Sequence, residues 1–168
     1  ADGTVHQPPA STTTPFATIV PFRTQHRQTL AVGLDLKGLE ELVNGAAPNA
    51  NLFTAVRVDG QFRHLVVRSV PRQTPPYRPL AEVTKEQSVF DLQEVHGTLV
   101  GFRSPAYVKG INVPGYHLHF LSDDRKQGGH VLSFELADGT LSLANYDRFL
   151  MLLPGENSSF GQLDLGRD

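Results

Sequence analysis

Three histidines are the residues of this sequence best spaced to do chemistry together. His117 and His119 stand two apart in the run Gly115-Tyr116-His117-Leu118-His119-Phe120, and His130 follows the pair Gly128-Gly129. In a strand successive side chains alternate faces, so His117 and His119 project from one face while Tyr116, Leu118 and Phe120 pack on the other. The intervening Asp123-Asp124-Arg125-Lys126 has turn composition. A tight hairpin there sets His119 opposite His130 on the same face. Three neutral imidazoles with one open position are what a catalytic Zn2+ needs, because its filled d shell imposes no geometry of its own. The competing reading is a solvated sheet face on which His-x-His arises by chance. His6, His26, His64 and His96 have no ligand-like spacing and read as surface or structural residues.

A second constellation is Arg68-Ser69-Val70-Pro71-Arg72-Gln73. An arginine at a strand end, stiffened by the following proline, can clamp a carboxylate with two parallel hydrogen bonds, since its guanidinium is planar and always charged. Arg68 is the first candidate and Arg72, in the same run, the reserve. Either side chain could instead lie over the sheet with its head in water. Asp123 and Asp124 read as turn-capping residues rather than an acid and base pair. Phosphate-binding loops, nucleophile elbows and dinucleotide-binding glycine turns have no match.

The elements that must position these groups are predicted from period and punctuation. Residues 16–22, rich in aromatic and β-branched types, read as a strand at a sheet edge because of Pro21. Asp35 followed by Leu36, Leu39, Leu42 and Val43 predicts a short capped helix ending at Asn44-Gly45. Residues 52–58 and 61–70 flank Asp59-Gly60, which predicts a two-residue hairpin. Residues 74–79 hold three prolines and read as an irregular excursion, and 80–90 as a second helix with Leu80, Val83 and Gln87 facing inward. Beyond Gly97 short strands are expected at 98–103, 116–121, 130–136, 140–143 and 149–153. The expected fold class is α+β, a mixed and largely antiparallel sheet with two helices packed on it. Residues 1–14, rich in Pro, Ser and Thr, read as a linker, and 15–168 as one metal-binding domain.

Composition bounds the partners. Lys and Arg number 15 against 17 Asp and Glu, for a formal charge of −2, which gives no drive toward a phosphate backbone and argues against nucleic acid. Hydrophobic residues make up 39% of the 168 and charged residues 19%, a globular balance. The absence of cysteine leaves His, Asp and Glu as the metal ligands and removes thiol chemistry. No apolar stretch reaches the roughly 20 residues of a membrane-spanning helix. The start Ala1-Asp2-Gly3 lacks an initiator methionine and a signal-peptide pattern, so a cut or processed chain is expected; the expected location is cytoplasmic, with a secreted form left open. Exposed strand edges predict a homodimer.

Taken in order, Arg68-Ser69-Val70-Pro71-Arg72-Gln73, Thr98-Leu99-Val100-Gly101-Phe102, the run from Gly110 to Phe120, and Gly128-Gly129-His130-Val131 resemble α-acetolactate decarboxylase in type and spacing. The resemblance runs from about Thr14 to Leu153 and matches the later part of that enzyme. It implies a Zn2+ held by His117, His119 and His130, an active-site arginine at Arg68, and conversion of 2-acetolactate, a 2-hydroxy-3-oxo acid, to acetoin and CO2. It also implies two glutamates, one from an earlier segment and one from the C-terminal tail, for which this sequence offers no position. Two other readings of the same residues stay open: a three-histidine zinc hydrolase of an anionic ester or amide, and a non-catalytic domain stabilised by its metal.

Overall fold

Alternating apolar and polar residues over long stretches pair into five strands, seen in a computed structural model that describes residues 4–12, 14, 17–74, 78, 80–155 and 159–162. They are β1 (His26–Leu30), β2 (Phe53–Ser69), β3 (Ser88–Ser104), β4 (Gly115–Ser122) and β5 (Gly128–Tyr146), with one helix, α1 (Leu36–Ala46), between β1 and β2. The sheet order is β1-β5-β2-β3-β4, and β4 also pairs with β5, so the last four strands close on themselves. Every strand pair is antiparallel. The inward positions form one core: Phe62 packs edge-on against Phe120 and Phe134, with ring centroids 5.3 and 5.6 Å away, and Leu65, Val67, Leu99, Leu118, Leu136, Leu141 and Leu143 fill the rest. Each such side chain contributes roughly 1.5–3 kcal/mol on burial.

The helix α1 closes over this core. The Asp35 carboxylate accepts the Gly38 N–H at 2.8 Å, capping the first turn, and Leu39 and Val43, one turn apart, are fully buried. The buried Arg103 guanidinium on β3 ties the helix to the sheet by donating to the Asn44 side chain (3.0 Å), the Asn49 carbonyl (3.1 Å) and the Thr54 hydroxyl (2.9 Å). Tyr116, opposite Arg103 in the ladder, donates to the Glu40 carbonyl and to Asn44. The residue before His117 is thereby fastened to α1.

The expected second helix over residues 80–90 is not formed. Leu80–Val83 makes a single turn, Thr84–Glu86 a 3-10 turn, and the chain enters β3 at Ser88. From there half-buried Ser88, Phe90 and Leu92 alternate with exposed Val89, Asp91 and Gln93, a period of two that suits pairing with β2. Val83 is buried, while Gln87 stands at the corner between the turn and the strand instead of on a helix face. Among the described residues the fold is thus an antiparallel β structure with one true helix, neither mixed nor carrying two helices.

The hairpin expected at Asp59-Gly60 is also absent, because β2 runs through it for 17 residues. Gly60 lies in register between Gly139 of β5 and Gly97 of β3, so a row of three glycines crosses the sheet. A Cβ at Gly60 would overlap the Asp138 carbonyl oxygen. The residues that imitate a turn serve close approach and bending of a continuous strand, next to the register shifts after Gln61. The same misreading split β5, a 19-residue strand, at Asp138-Gly139.

Two expected strands are missing at the ends. Residues 17–24 carry none, and the Pro21 carbonyl accepts the Tyr146 hydroxyl at 3.0 Å; Phe16 lies outside the described residues, as do 75–77 and 79 of the expected excursion. Residues 147–155 also form no strand, although Phe149 stacks on Phe53 at 5.3 Å. Within the expected linker, the Val5 N–H donates to the Lys126 carbonyl at 3.0 Å. Among the described residues no helix is long and apolar enough to cross a membrane.

Replacing Gly60 by Val should lower stability by about 3 kcal/mol, the upper range of overpacking, read as a shift in the urea midpoint. An unchanged midpoint would refute the role given to the glycine row.

Candidate metal centre

Leu118 and Phe120 are 3% exposed in the core, which fixes the alternation of β4 and turns His117 and His119 to the outer face. The turn into β5 is held by its own side chains. Asp124 accepts the Ser122 hydroxyl at 2.7 Å and the Lys126 N–H at 3.0 Å, while the Ser122 hydroxyl accepts the Gln127 N–H at 3.0 Å. Gly128 and Gly129 then pair with Leu121 and Phe120, and His130 falls directly opposite His119. At Gly129, with φ of 156°, an added Cβ would sit 2.7 Å from the Arg68 carbonyl oxygen. Only glycine lets β5 enter between β4 and β2 at this point.

The side chains meet as the register requires. One ligand nitrogen from each of His117, His119 and His130 lies within 4.8 Å of the others. The Nε2 atoms of His117 and His119 are 3.1 Å apart. Two ligands on one tetrahedral zinc, each at 2.0–2.1 Å, are separated by about 3.3 Å, so this edge already has the dimension of a metal site. The three ring centroids are 4.9 to 5.3 Å apart, and the rings are tilted to one another. Nitrogens converging in this way could hold a shared metal ion, and without one His117 and His119 are at hydrogen-bond distance from each other. Among the described residues no carboxylate joins the cluster.

Arg68 is in register with His130 on the neighbouring strand β2, and its Nη1 donates to Gln87 Oε1 at 2.9 Å. Arg72 is exposed in the irregular segment after β2 and is not part of this arrangement. The remaining histidines stand apart: His64 pairs with Asp91 at 2.9 Å and His26 contacts Gln28 at 3.0 Å.

The electrostatics keep the imidazoles neutral. Burial first, and then the charge of Arg68, push His130 down to about 4. Burial also lowers His117 and His119, with Arg68 adding to both and His117 acting on His119. Desolvation and a like charge each disfavour the protonated ring. A ring without its second proton is the form that can ligate a metal, so proton competition is weak at neutral pH.

Gln87 escaped the sequence reading as part of this site because it was assigned to a helix. The signal that would have placed it is the period-two run Ser88-Val89-Phe90-Asp91-Leu92, which starts one residue later.

In metal-free protein the His130 ring protons should titrate in NMR with a midpoint near 4, below the ordinary 6.5. The unfolded chain binds this proton first, so the His130 contribution to stability is complete above about 6.5 and declines as pH falls toward about 4. A His130 midpoint at or above 6.5 would contradict the desolvation argument.

The alpha-acetolactate decarboxylase family description matches residues 1–167. The chain is 43% identical over 168 residues to the alpha-acetolactate decarboxylase of Raoultella terrigena and 46% identical over 167 residues to that of Methanosarcina mazei. These matches cover 100% and 99% of this chain but 64% and 58% of the relatives, so the chain spans about three fifths of their length. The X-ray structure of alpha-acetolactate decarboxylase from Bacillus subtilis strain 168 superposes with a TM-score of 0.81 at 36% identity, over 87% of this chain and 62% of that one. By sequence and by fold together, this chain belongs to the alpha-acetolactate decarboxylase family.

Proposed function

We propose that this chain carries the zinc and arginine part of an active site that converts 2-acetolactate to acetoin and CO2. The observation that supports it most is the joint placement of three converging neutral imidazoles and a strand-end arginine, Arg68 in register with His130, in a chain of this family. His117, His119 and His130 are the residues that would hold the ion, and their softness and number suit Zn2+ with a position left for substrate. Bound there, zinc supplies a Lewis acid toward which the electron pair released with CO2 can be drawn.

The rest of the reaction rests on chemistry the chain itself provides. The substrate carries a carboxylate on a carbon that also bears a hydroxyl and is bonded to a keto carbon. Loss of CO2 breaks the bond from that carbon to the carboxylate, and the bonding pair passes to the keto group as an enediolate. A proton taken from water at the carbon that lost CO2 then gives acetoin. Arg68, with a permanent charge and a planar fork, binds the carboxylate and orients it for cleavage. The strands hold the imidazoles in place, so little reorganisation is needed when substrate arrives. The partner is therefore a small 2-hydroxy-3-oxo acid. Within the same reading a homodimer forms along β1, which is paired on one side only among the described strands. A monomeric mass in solution would remove that part.

Two substitutions in the full-length protein separate the roles. His119→Ala should weaken zinc binding by about 100-fold or more, measured by competition with a chelating dye. Arg68→Ala should keep about one zinc per chain and lower kcat/KM for acetoin formation by roughly 100-fold. Full activity in the Arg68 variant, or ester cleavage without acetoin formation by the unmodified protein, would overturn the proposal.

A further inference from the structure

We infer that Gln87 is a positioning residue that aims Arg68 while leaving its charge uncompensated, so that the centre selects an anionic carboxylate. The inference rests on the reading of Arg68 given above and deepens it.

Three observations converge on Gln87. Its Oε1 accepts from Arg68 Nη1 at 2.9 Å, in a partly buried setting, and this is the hydrogen bond that Arg68 makes among the described residues. Its backbone is fixed on both sides, at the end of the 3-10 turn Thr84–Glu86, with its N–H donating to the Thr84 carbonyl at 3.3 Å, and directly before β3. Arg68 in turn is held in the ladder between Val89 and His130. The amide therefore reaches the guanidinium from a corner of the fold, not from a free loop.

The chemistry of the partner matters as much as its position. A carboxylate at residue 87 would orient Arg68 equally well and would form a salt bridge with it. That bridge would satisfy the fork and cancel the charge that reaches the imidazoles. An amide oxygen takes one N–H and adds no charge. Arg68 forms no ion pair among the described residues, although the chain pairs Arg57, Arg63 and Arg78 with carboxylates. In the ladder Arg68 stands directly opposite His130, on the face that carries the imidazoles. Arg68 therefore brings a fixed positive charge beside neutral imidazoles, which favours an anionic ligand over a neutral one.

The test uses full-length, zinc-loaded protein and two titrations: zinc by chelator competition, and 2-hydroxy-2-methylpropanoate, an unreactive carboxylate, by calorimetry. Gln87→Glu should weaken carboxylate binding and raise KM by about 10-fold or more while zinc affinity stays within about 2-fold, because only the charge beside Arg68 changes. Gln87→Leu should weaken the carboxylate less and lower kcat more, since orientation is lost but charge is kept. If Gln87→Glu binds the carboxylate like the unmodified protein while Arg68→Ala does not, the role of Gln87 is wrong and that of Arg68 stands. If Arg68→Ala also binds it normally, the underlying reading fails. Loss of zinc in both Gln87 variants would show a structural role and overturn the inference.

Discussion

The structure depends on one constraint, the simultaneous pairing of β5 with β4 and with β2 at His130. On one side His130 faces His119, and on the other it faces Arg68. That single position closes the sheet and assembles the centre. A slip of one residue on β4 would turn Leu118 and Phe120 outward and His117 and His119 into the core. Exposing two large apolar side chains costs roughly 1.5–3 kcal/mol each, and burying two imidazoles without partners adds to it. The core therefore sets the register, and the register brings the three histidines together.

Such a closure with few strands demands long strands that bend, and the sequence meets this with small residues at the crossing points. Gly139, Gly60 and Gly97 lie side by side on three strands, and Gly129 gives β5 its passage past the Arg68 carbonyl. Arg103 supplies the complementary stiffness. It is buried, yet its named partners are an amide, a carbonyl and a hydroxyl, all neutral. A charged group in that position is tolerable because its Nη hydrogen bonds are charge-assisted, although its buried Nε has no partner, and removing Asn44 would leave Nη1 without its partner as well. Bending near glycine and rigidity near Arg103 meet on the two sides of His117.

How much of this was legible in the sequence followed from the range of the signal. The histidines could be placed because alternation and a short turn are local: Tyr116, Leu118 and Phe120 mark one face, and Asp123 to Gln127 mark the return. Arg68 is expected at a strand end because it closes an apolar run before a proline, and it stands in register with His130. The strands beyond these were misjudged where a local cue and a distant partner disagreed. Asp59-Gly60 and Asp138-Gly139 look like turns in isolation, but each faces the other across a ladder that extends well past them. Residues 80–90 have apolar positions that fit a helix, yet from Ser88 onward the open edge of β2 offers a continuous ladder, and tertiary pairing prevails over periodicity. Residues 17–22 and 149–153 have strand composition, and no described strand pairs with them; composition alone says nothing about whether a partner is free.

The electrostatic arrangement has a consistency that neither the ligands nor the arginine has alone. A cation beside three imidazoles lowers their affinity for protons, which helps a metal compete, but it also repels a divalent metal. A metal held there would add its charge to that of Arg68. In the proposed reading an incoming carboxylate would be attracted by both and would accept hydrogen bonds from Arg68. In the proposed reaction, loss of the carboxylate as neutral CO2 would leave its negative charge on the remaining fragment. Arg68 and a metal held by the three histidines would still face that charge, so the groups that attract the substrate would also stabilise the step.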